Sequence, residues 1–228
     1  MYPQSRKMAT CLLLTTLSAA TATAATPPTT PVDTWSIGIT AGTLGLGPEV
    51  AYRYGHYIGV RASAGFLSYN HDETVSDITY NGRLKLDSYG VAADLFPFGG
   101  GFRISAGARK NDNKIDLNGT PSTPVTLGNT VYTPAQVGTL YGTVEGNSFA
   151  PTLSLGYGGR LAKGFTLGAE IGVMFQGTPK VDNYHATGLL ASTPSFQADL
   201  AEERQKVDDK VHNYQYWPIA QIILLYRF

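Results

Sequence analysis

The sequence has little cysteine, little charge and no long apolar run. It contains 1 cysteine in 228 residues, and charged residues make up 15% of the chain, against roughly 25% in an ordinary soluble domain. No apolar run reaches the roughly 18 residues that a membrane helix needs. The 17 basic and 17 acidic residues cancel, so the charge gives no support for nucleic-acid binding. The protein must be held together by its core or its backbone hydrogen bonds rather than by disulfides.

Glycine and tyrosine are abundant instead, with 26 and 14 residues. Together with a mean hydropathy of −0.09, this composition is typical of an all-β protein that is either secreted or set in an outer membrane. The length is compatible with one or two domains, and a barrel of this size forms a single domain.

The first 25 residues are expected to be a signal peptide. Arg6 and Lys7 precede a short apolar run over residues 8–17, and a stretch of small residues ends at Ala25. A short basic segment, a short apolar segment and a small-residue cleavage site form an export signal. The apolar run is too short to span a membrane.

The remaining chain divides into a spacer and a barrel. Cys11 lies inside the apolar run rather than after it, so we expect no lipidation and no cysteine in the mature protein. Residues 26–33 are a Pro/Thr-rich N-terminal spacer, and we expect the outer-membrane barrel over residues 34–228.

After the spacer, apolar residues recur at every second position, which is the period of a β-strand. In the first segment, Trp35, Ile37 and Ile39 share one face, and Ser36 lies on the other. The second face of most segments carries Gly, Ser, Thr and Ala, which suit the interior of a narrow barrel better than a water-exposed surface. The apolar face, edged by aromatic residues, then faces lipid, and the sheet must close because backbone groups in lipid need partners. We therefore predict an all-β, eight-stranded antiparallel transmembrane β-barrel.

The connections alternate between short and long, as in outer-membrane barrels. Long loops are predicted at residues 70–81, 110–146 and 176–213, whereas the connections after strands two, four and six are short, as is the first loop near residues 43–45. With an even number of strands, both termini lie on the short-turn side, which we predict to be periplasmic.

The last predicted strand runs from about Tyr214 to Phe228. Its alternating apolar face resembles the assembly signal that the barrel assembly machinery reads in bacterial outer-membrane proteins. This face consists of Ala220, Ile222, Leu224, Tyr226 and Phe228.

Six segments carry a family resemblance: GLGPEVAYRYGHYIGVR (45–61), LFPFGGGFRISAGAR (95–109), YTPAQVGTL (132–140), LSLGYG (153–158), GVMFQGTP (172–179) and FQADLAEE (196–203). With them, the mature sequence as a whole resembles the small eight-stranded proteobacterial outer-membrane barrels, namely the OmpA transmembrane, OmpW and OmpX-like proteins, and within them a poorly characterised subset. The resemblance implies this fold and a Gram-negative outer membrane, where outer-membrane lipid and lipopolysaccharide surround the barrel. It implies no particular activity, because one fold hosts many functions. An extracellular partner of unknown identity is a separate expectation that rests on the outer loops.

Nine polar residues fall on the predicted inner face of the barrel. Because unpaired buried charges are costly, and an eight-stranded barrel is just wide enough for its side chains to fill, we expect a structural network. A pore lining or a proton path is the alternative. These residues are Glu49, Arg53, Arg61, Asp94, Arg103, Arg109, Glu170, Gln221 and Arg227.

No motif points to catalysis, a metal or a cofactor. The four histidines lack the close spacings of metal ligands, and the glycine runs lack the lysine and helix of a phosphate loop. His71 with Ser68 or Ser76 is the nearest approach to a lipid-modifying pair, but the spacing matches no motif. We predict no catalytic, metal-binding or cofactor-binding residue.

Two long loops carry local structure. Thr193-Pro194 predicts a helix start, with the helix continuing to about Lys210, either capping the barrel or resting on its own loops. Gly128-Asn129 lies between β-prone runs and predicts a hairpin, which either recruits a partner by strand addition or stiffens the rim.

The function predicted from the sequence is a non-enzymatic, envelope-structural or surface-interaction role that depends on the extracellular loops. A narrow, porin-like channel or OmpW-like conduit for small or hydrophobic molecules is the second hypothesis. A lipid-modifying outer-membrane enzyme is the third.

Overall fold

The computed structural model describes residues 33–75, 78–162 and 164–228. The predicted signal peptide and all but the last residue of the spacer lie outside the described residues. The strands are β1 (Asp33–Gly42), β2 (Gly45–Tyr54), β3 (Ile58–Val75), β4 (Ile78–Leu95), β5 (Phe102–Asn111), β6 (Lys114–Pro121), β7 (Val125–Leu127), β8 (Thr130–Tyr132), β9 (Leu140–Glu145), β10 (Phe149–Ala162), β11 (Phe165–Phe175), β12 (Lys180–Ala186) and β13 (Tyr216–Arg227). The helices are α1 (Pro134–Val137) and α2 (Pro194–Val211).

Eight antiparallel strands close into a barrel, which confirms the predicted fold. Around the barrel the order is β1, β2, β3, β4, β5, β10, β11 and β13, and each strand pairs with the next. The ring closes where β13 pairs with β1, with Ser36 opposite Arg227 and Gly42 opposite Gln221. A closed ladder satisfies the backbone hydrogen bonds of every strand and leaves no edge.

The two ends of the barrel differ. At the end we call the terminal end, β1 begins, β13 ends, and short turns follow β2, β4 and β10. At the opposite end, the loop end, a short turn at residues 43–44 joins β1 to β2, and the longer insertions rise above the rim.

The insertions form a folded unit that we call the cap: residues 67–75 of β3 and 78–87 of β4, together with β6 to β9, β12, α1 and α2. Strand β4 continues past the barrel and pairs with β6, which pairs with β9, which pairs with β12. The prediction of a loop at residues 70–81 is therefore wrong, because β3 and β4 remain paired as far as Val75 and Ile78. Beyond the barrel β4 lies between β3 and β6, so this stretch has backbone partners on both sides.

The predicted helix and hairpin are both present in the cap. Helix α2 follows Thr193 and ends one residue beyond Lys210, and β7 and β8 form a hairpin around Gly128, whose φ is +59°. The apolar core of the cap lies between them and comprises Leu127, Tyr132, Val137, Ala186, Phe196 and Leu200. No helix among the described residues is long and apolar enough to cross a membrane.

Candidate functional site: the barrel lumen

The outer wall of the barrel is apolar and is edged by aromatic side chains at both ends. Near the terminal end, Trp35 packs on Tyr52 with ring centroids 4.8 Å apart. Near the loop end, Phe66 and Tyr89 pack edge to face at 5.5 Å. Between these belts lie exposed side chains such as Ile222, which is 64% exposed. This arrangement is the one that a lipid-embedded barrel presents to its surroundings.

Arg61 occupies the centre of the lumen and contacts three carboxylates. Its Nε lies 3.4 Å from Asp94 Oδ2, its Nη1 lies 3.5 Å from Glu49 Oε2, and its Nη2 donates to Glu170 Oε1 at 3.1 Å. A second short contact joins Nη1 to Glu170 Oε2. Arg61 is 8% exposed and Glu49 is 1% exposed. Because isolated charges at this depth are strongly disfavoured, the four side chains depend on one another.

Arg103 and two serines complete this cluster. Arg103 Nη2 donates to Glu170 Oε2 at 2.8 Å, so Glu170 bridges two arginines. Ser154 donates to Glu170 Oε1 at 2.6 Å, and Ser105 donates to Asp94 Oδ1 at 2.6 Å. We call Glu49, Arg61, Asp94, Arg103 and Glu170 the charge cluster.

Glycine on neighbouring strands makes room for the arginines. A Cβ placed on Gly156 would lie 2.7 Å from Arg103 Cζ, and one placed on Gly90 would lie 2.7 Å from Arg109 Cγ. Both separations are far below van der Waals contact. Gly90 and Gly156 are therefore inward glycines whose missing side chains leave space for an arginine of the neighbouring strand.

The other predicted inner residues lie outside the charge cluster. Arg109 lies on the loop-end side and donates to Ser63 Oγ at 2.9 Å and to Ser88 Oγ at 3.0 Å. Gln221 is buried beside the same part of the lumen. Arg53 and Arg227 lie toward the terminal end. The structure thus joins five of the nine predicted residues by ion pairs.

Arg53 is held by neutral partners. It donates to the carbonyl oxygens of Gly100 at 3.1 Å, Gly99 at 2.8 Å and His56 at 2.5 Å. Its guanidinium carbon also lies 3.9 Å from the centre of the Phe96 ring. These contacts position the side chain and tie two short turns together, but they carry no formal negative charge.

An apolar group closes the lumen beneath the loop end, and the sequence analysis did not identify it. It comprises Leu44, Ala150, Met174 and Ile219, with Trp217 packed against it, and we call it the plug. The turn that carries Leu44 is fixed to β13, since Trp217 Nε1 donates to the Thr43 carbonyl at 3.1 Å. Strand parity already places Met174 and Ile219 on the inner face, so alternation alone was sufficient to find these two residues.

Two small cavities flank the charge cluster in the described part of the lumen. The loop-end cavity has a volume of about 20 Å³ and lies between Arg61, Arg109 and the plug residues Leu44 and Ile219. The terminal-end cavity has a volume of about 60 Å³. A single water needs on the order of 10–15 Å³, so the first holds little more than one water. Arg61 borders both cavities.

The described residues contain no group of three or more His, Cys, Asp or Glu side chains arranged to hold a metal ion. His185 lies in the cap, stacked on Tyr141 with ring centroids 5.0 Å apart. His56 lies in the turn after β2 and His212 follows α2, so these three histidines belong to different elements of the fold.

No protein-family model matches the chain, and no curated protein matches it. The crystal structures similar to it include two from Acinetobacter baumannii. CarO2 of Acinetobacter baumannii has 19% sequence identity and a TM-score of 0.59, covering 86% of this chain and 98% of that chain. CarO of the same organism has 20% identity and a TM-score of 0.54, covering 87% and 98%. At these identities the likeness supports the barrel fold alone, and membership of the OmpA, OmpW or OmpX-like group stays a prediction.

Proposed function

We propose that this chain is a non-enzymatic protein of a Gram-negative outer membrane. Its closed barrel serves as a membrane anchor, and its cap serves envelope structure or surface interaction. The observation that carries the proposal is the filled lumen. The plug, Arg109 and the charge cluster follow one another along the barrel axis, whereas the cap is a folded unit with an apolar core of its own.

The outer wall supports the membrane setting. A continuous apolar surface between two aromatic belts is stable in lipid and costly in water. In this setting outer-membrane lipid and lipopolysaccharide surround the wall. The terminal end faces the periplasm, and the cap extends outside the cell toward a partner that remains to be identified.

Conductance of the purified protein in planar lipid bilayers tests the closed lumen. The expected result is the absence of unitary currents above the bilayer background. A variant that combines Arg61→Ala and Glu170→Ala with Leu44→Ala and Met174→Ala removes both the centre of the charge cluster and the plug, and is the positive control for opening. Reproducible unitary currents from the unaltered protein would contradict the proposal.

A narrow conduit is the second candidate, because cavities lie on both sides of the charge cluster. It requires that the charge cluster or the plug move aside. Currents that appear in the unaltered protein and disappear when Leu44 or Met174 is replaced by Trp would favour this alternative.

The role of the cap is tested by removing part of it. Asn111 N donates to the Ser148 carbonyl at 2.7 Å, so a short Gly/Ser turn can replace residues 112–147 without straining the barrel. We expect the variant to keep the heat-modifiable gel migration of a folded barrel and to lose surface interaction, measured as adhesion of cells that display the protein. Loss of barrel folding would argue against a separable cap.

A further inference from the structure

The charges inside the barrel are unevenly distributed along its axis. The charge cluster contains three carboxylates and two arginines, a net charge of −1. Arg109, on the loop-end side, adds one positive charge and brings this part of the lumen to neutrality. Arg53 and Arg227 lie on the terminal-end side, and neither forms an ion pair with an acidic residue among the described residues. A net charge of about +2 is therefore left at one end of the lumen.

Another arginine adds to this positive charge, and the carboxylates of Glu49 and Asp94, which border the same cavity, are already paired with Arg61. Arg53 and Arg227 line the same cavity, so their like charges repel each other, and Arg160, on the rim, adds a further positive charge near Arg227. The carbonyl and ring contacts of Arg53 leave its charge in place. Half-buried cations without a counter-charge are costly to keep in a folded protein.

A cavity lies between these arginines. The terminal-end cavity has a volume of about 60 Å³, which is room for on the order of four to six waters or for one tetrahedral oxyanion. Guanidinium and hydroxyl groups on its wall are donors: Arg53, Arg103, Arg227, Ser36 and Thr166. Arg103, which is buried, also keeps a side-chain nitrogen, Nε, without a hydrogen-bond partner among the described residues.

We propose that the terminal-end cavity is a binding site for a small free oxyanion, of the class of inorganic phosphate. Planar guanidinium groups bind oxyanions through paired, charge-assisted hydrogen bonds, and such an ion supplies the missing negative charge. The carboxylates of Glu49 and Asp94 also border the cavity and contact Arg61. The anion therefore lies toward the mouth, next to Arg227, and away from these two acids.

Equilibrium dialysis with radiolabelled inorganic phosphate tests this site on the whole protein, folded in detergent at constant ionic strength. We expect one saturable site per barrel. Arg227→Gln should weaken binding at least tenfold. Arg204→Gln is the matched control and should leave the Kd unchanged, since Arg204 lies on α2 beside Asp208 at 3.8 Å. Heat-modifiable gel migration checks that each variant is folded.

Two results would overturn the proposal: no saturable phosphate binding by the unaltered protein, or the same Kd in Arg227→Gln. If Arg227→Gln does not fold, Thr166→Val gives the test, because it removes a donor and keeps the charge. A two- to fivefold weakening supports the site, and an unchanged Kd contradicts it. Displacement of bound phosphate by vesicles of phosphatidylglycerol, but not of phosphatidylcholine, would assign the arginines to a lipid headgroup instead of a free ion.

Discussion

The barrel and the cap place polar and apolar residues in opposite positions. In the barrel the buried centre is ionic, with Glu49 and Arg61 enclosed, while large apolar side chains such as Ile222 lie on the outside. In the cap the buried centre is apolar, with Phe196 and Val137 fully enclosed, and the exposed side of α2 carries ion pairs such as Lys206 with Glu202. The same chain therefore contains one region with a charged interior and an apolar surface, and another with an apolar interior and a charged surface.

The difference is the one expected from the proposed setting, with lipid around the barrel and water around the cap. The cap follows the ordinary rule for water, in which burial of apolar surface drives folding. The barrel gains nothing from burying apolar side chains away from lipid, so its interior is free to hold charges, provided that they are paired. We expect the cap to depend on packing and the barrel to depend on ion pairs inside a closed ladder.

The largest effect is expected from removing the central arginine of the barrel. Arg61→Gln leaves Glu49 and Asp94 buried without a cation, because each has its only ion pair with Arg61 among the described residues. Breaking a buried ion pair costs about 3–5 kcal/mol. Urea unfolding of the barrel in lipid vesicles, followed by tryptophan fluorescence, measures the loss. The control Arg204→Gln breaks an exposed pair and should cost less than about 1 kcal/mol.

A smaller and local effect is expected from Phe196→Ala in the cap. Phe196 packs edge to face on Tyr132 with ring centroids 5.0 Å apart, and the substitution should lower the local stability of the cap by about 3 kcal/mol. Faster hydrogen exchange in α2 measures it. Barrel migration on gels should not change, which separates the two regions. Leu189→Ala, at an exposed position of the cap, is the control. If Phe196→Ala lowers the hydrogen-exchange protection of the barrel as much as that of the cap, the two regions unfold as one unit.

Gly156→Ala should have a moderate effect in the barrel. The new methyl group would meet the Arg103 guanidinium, and overpacking costs about 1–3 kcal/mol. Gly100→Ala is the matched control because a Cβ there meets nothing within 4 Å. Urea unfolding compares the two variants. Equal unfolding midpoints would mean that the Arg103 side chain can move away from β10 and make room for the new methyl group.

Much of the barrel was predictable because lipid makes the alternation unusually clear. Trp35, Ile37 and Ile39 point outward as their spacing indicated, and the strand order followed from short turns and closure. The cap was less predictable. The continuation of β3 and β4 beyond the barrel depends on the pairing of β4 with β6, whose residues lie 29 to 43 positions further along the chain, and local pattern does not contain that information.

The sequence predicts which residues lie on the inner face, but not which of them form ion pairs with each other. Parity places Arg53, Arg61 and Arg109 inside, yet only Arg61 among them meets an acid. The reason is the height of each residue along the axis, which depends on the stagger between strands. The plug was missed for a different reason: the inner face was expected to be small and polar, so Met174 and Ile219 were not considered as a group.

The smallest predicted effect concerns a hydrogen bond that joins α2 to the β7–β8 hairpin. Tyr132 donates to Asp199 Oδ2 at 2.6 Å. This bond is the main reason that the pKa of Asp199 lies below its ordinary value of 3.8, and that the pKa of Tyr132 lies above 10.0. Because the folded-state pKa of Asp199 is lowered, its ionised carboxylate adds to the free energy of unfolding of the cap above about pH 4. This contribution is lost as the pH falls through the lowered pKa. The protonated Tyr132 hydroxyl likewise adds to the stability of the cap below about pH 10, and this contribution is lost as the pH rises through the raised pKa of Tyr132.

Tyr132→Phe removes this bond while keeping the ring against Phe196, so it isolates the pH effect from packing. We expect hydrogen exchange in α2 to accelerate between pH 4 and pH 3 in the unaltered protein beyond the intrinsic change. The variant should show a smaller excess, because only Thr130 and Lys206 then lower the pKa of Asp199. The barrel strands should show no such difference, because the contact lies wholly in the cap. An identical pH dependence in both proteins would mean that α2 is held by apolar packing and by the Asp208 contact to the Val181 N–H at 2.8 Å, with no contribution from the Tyr132–Asp199 bond.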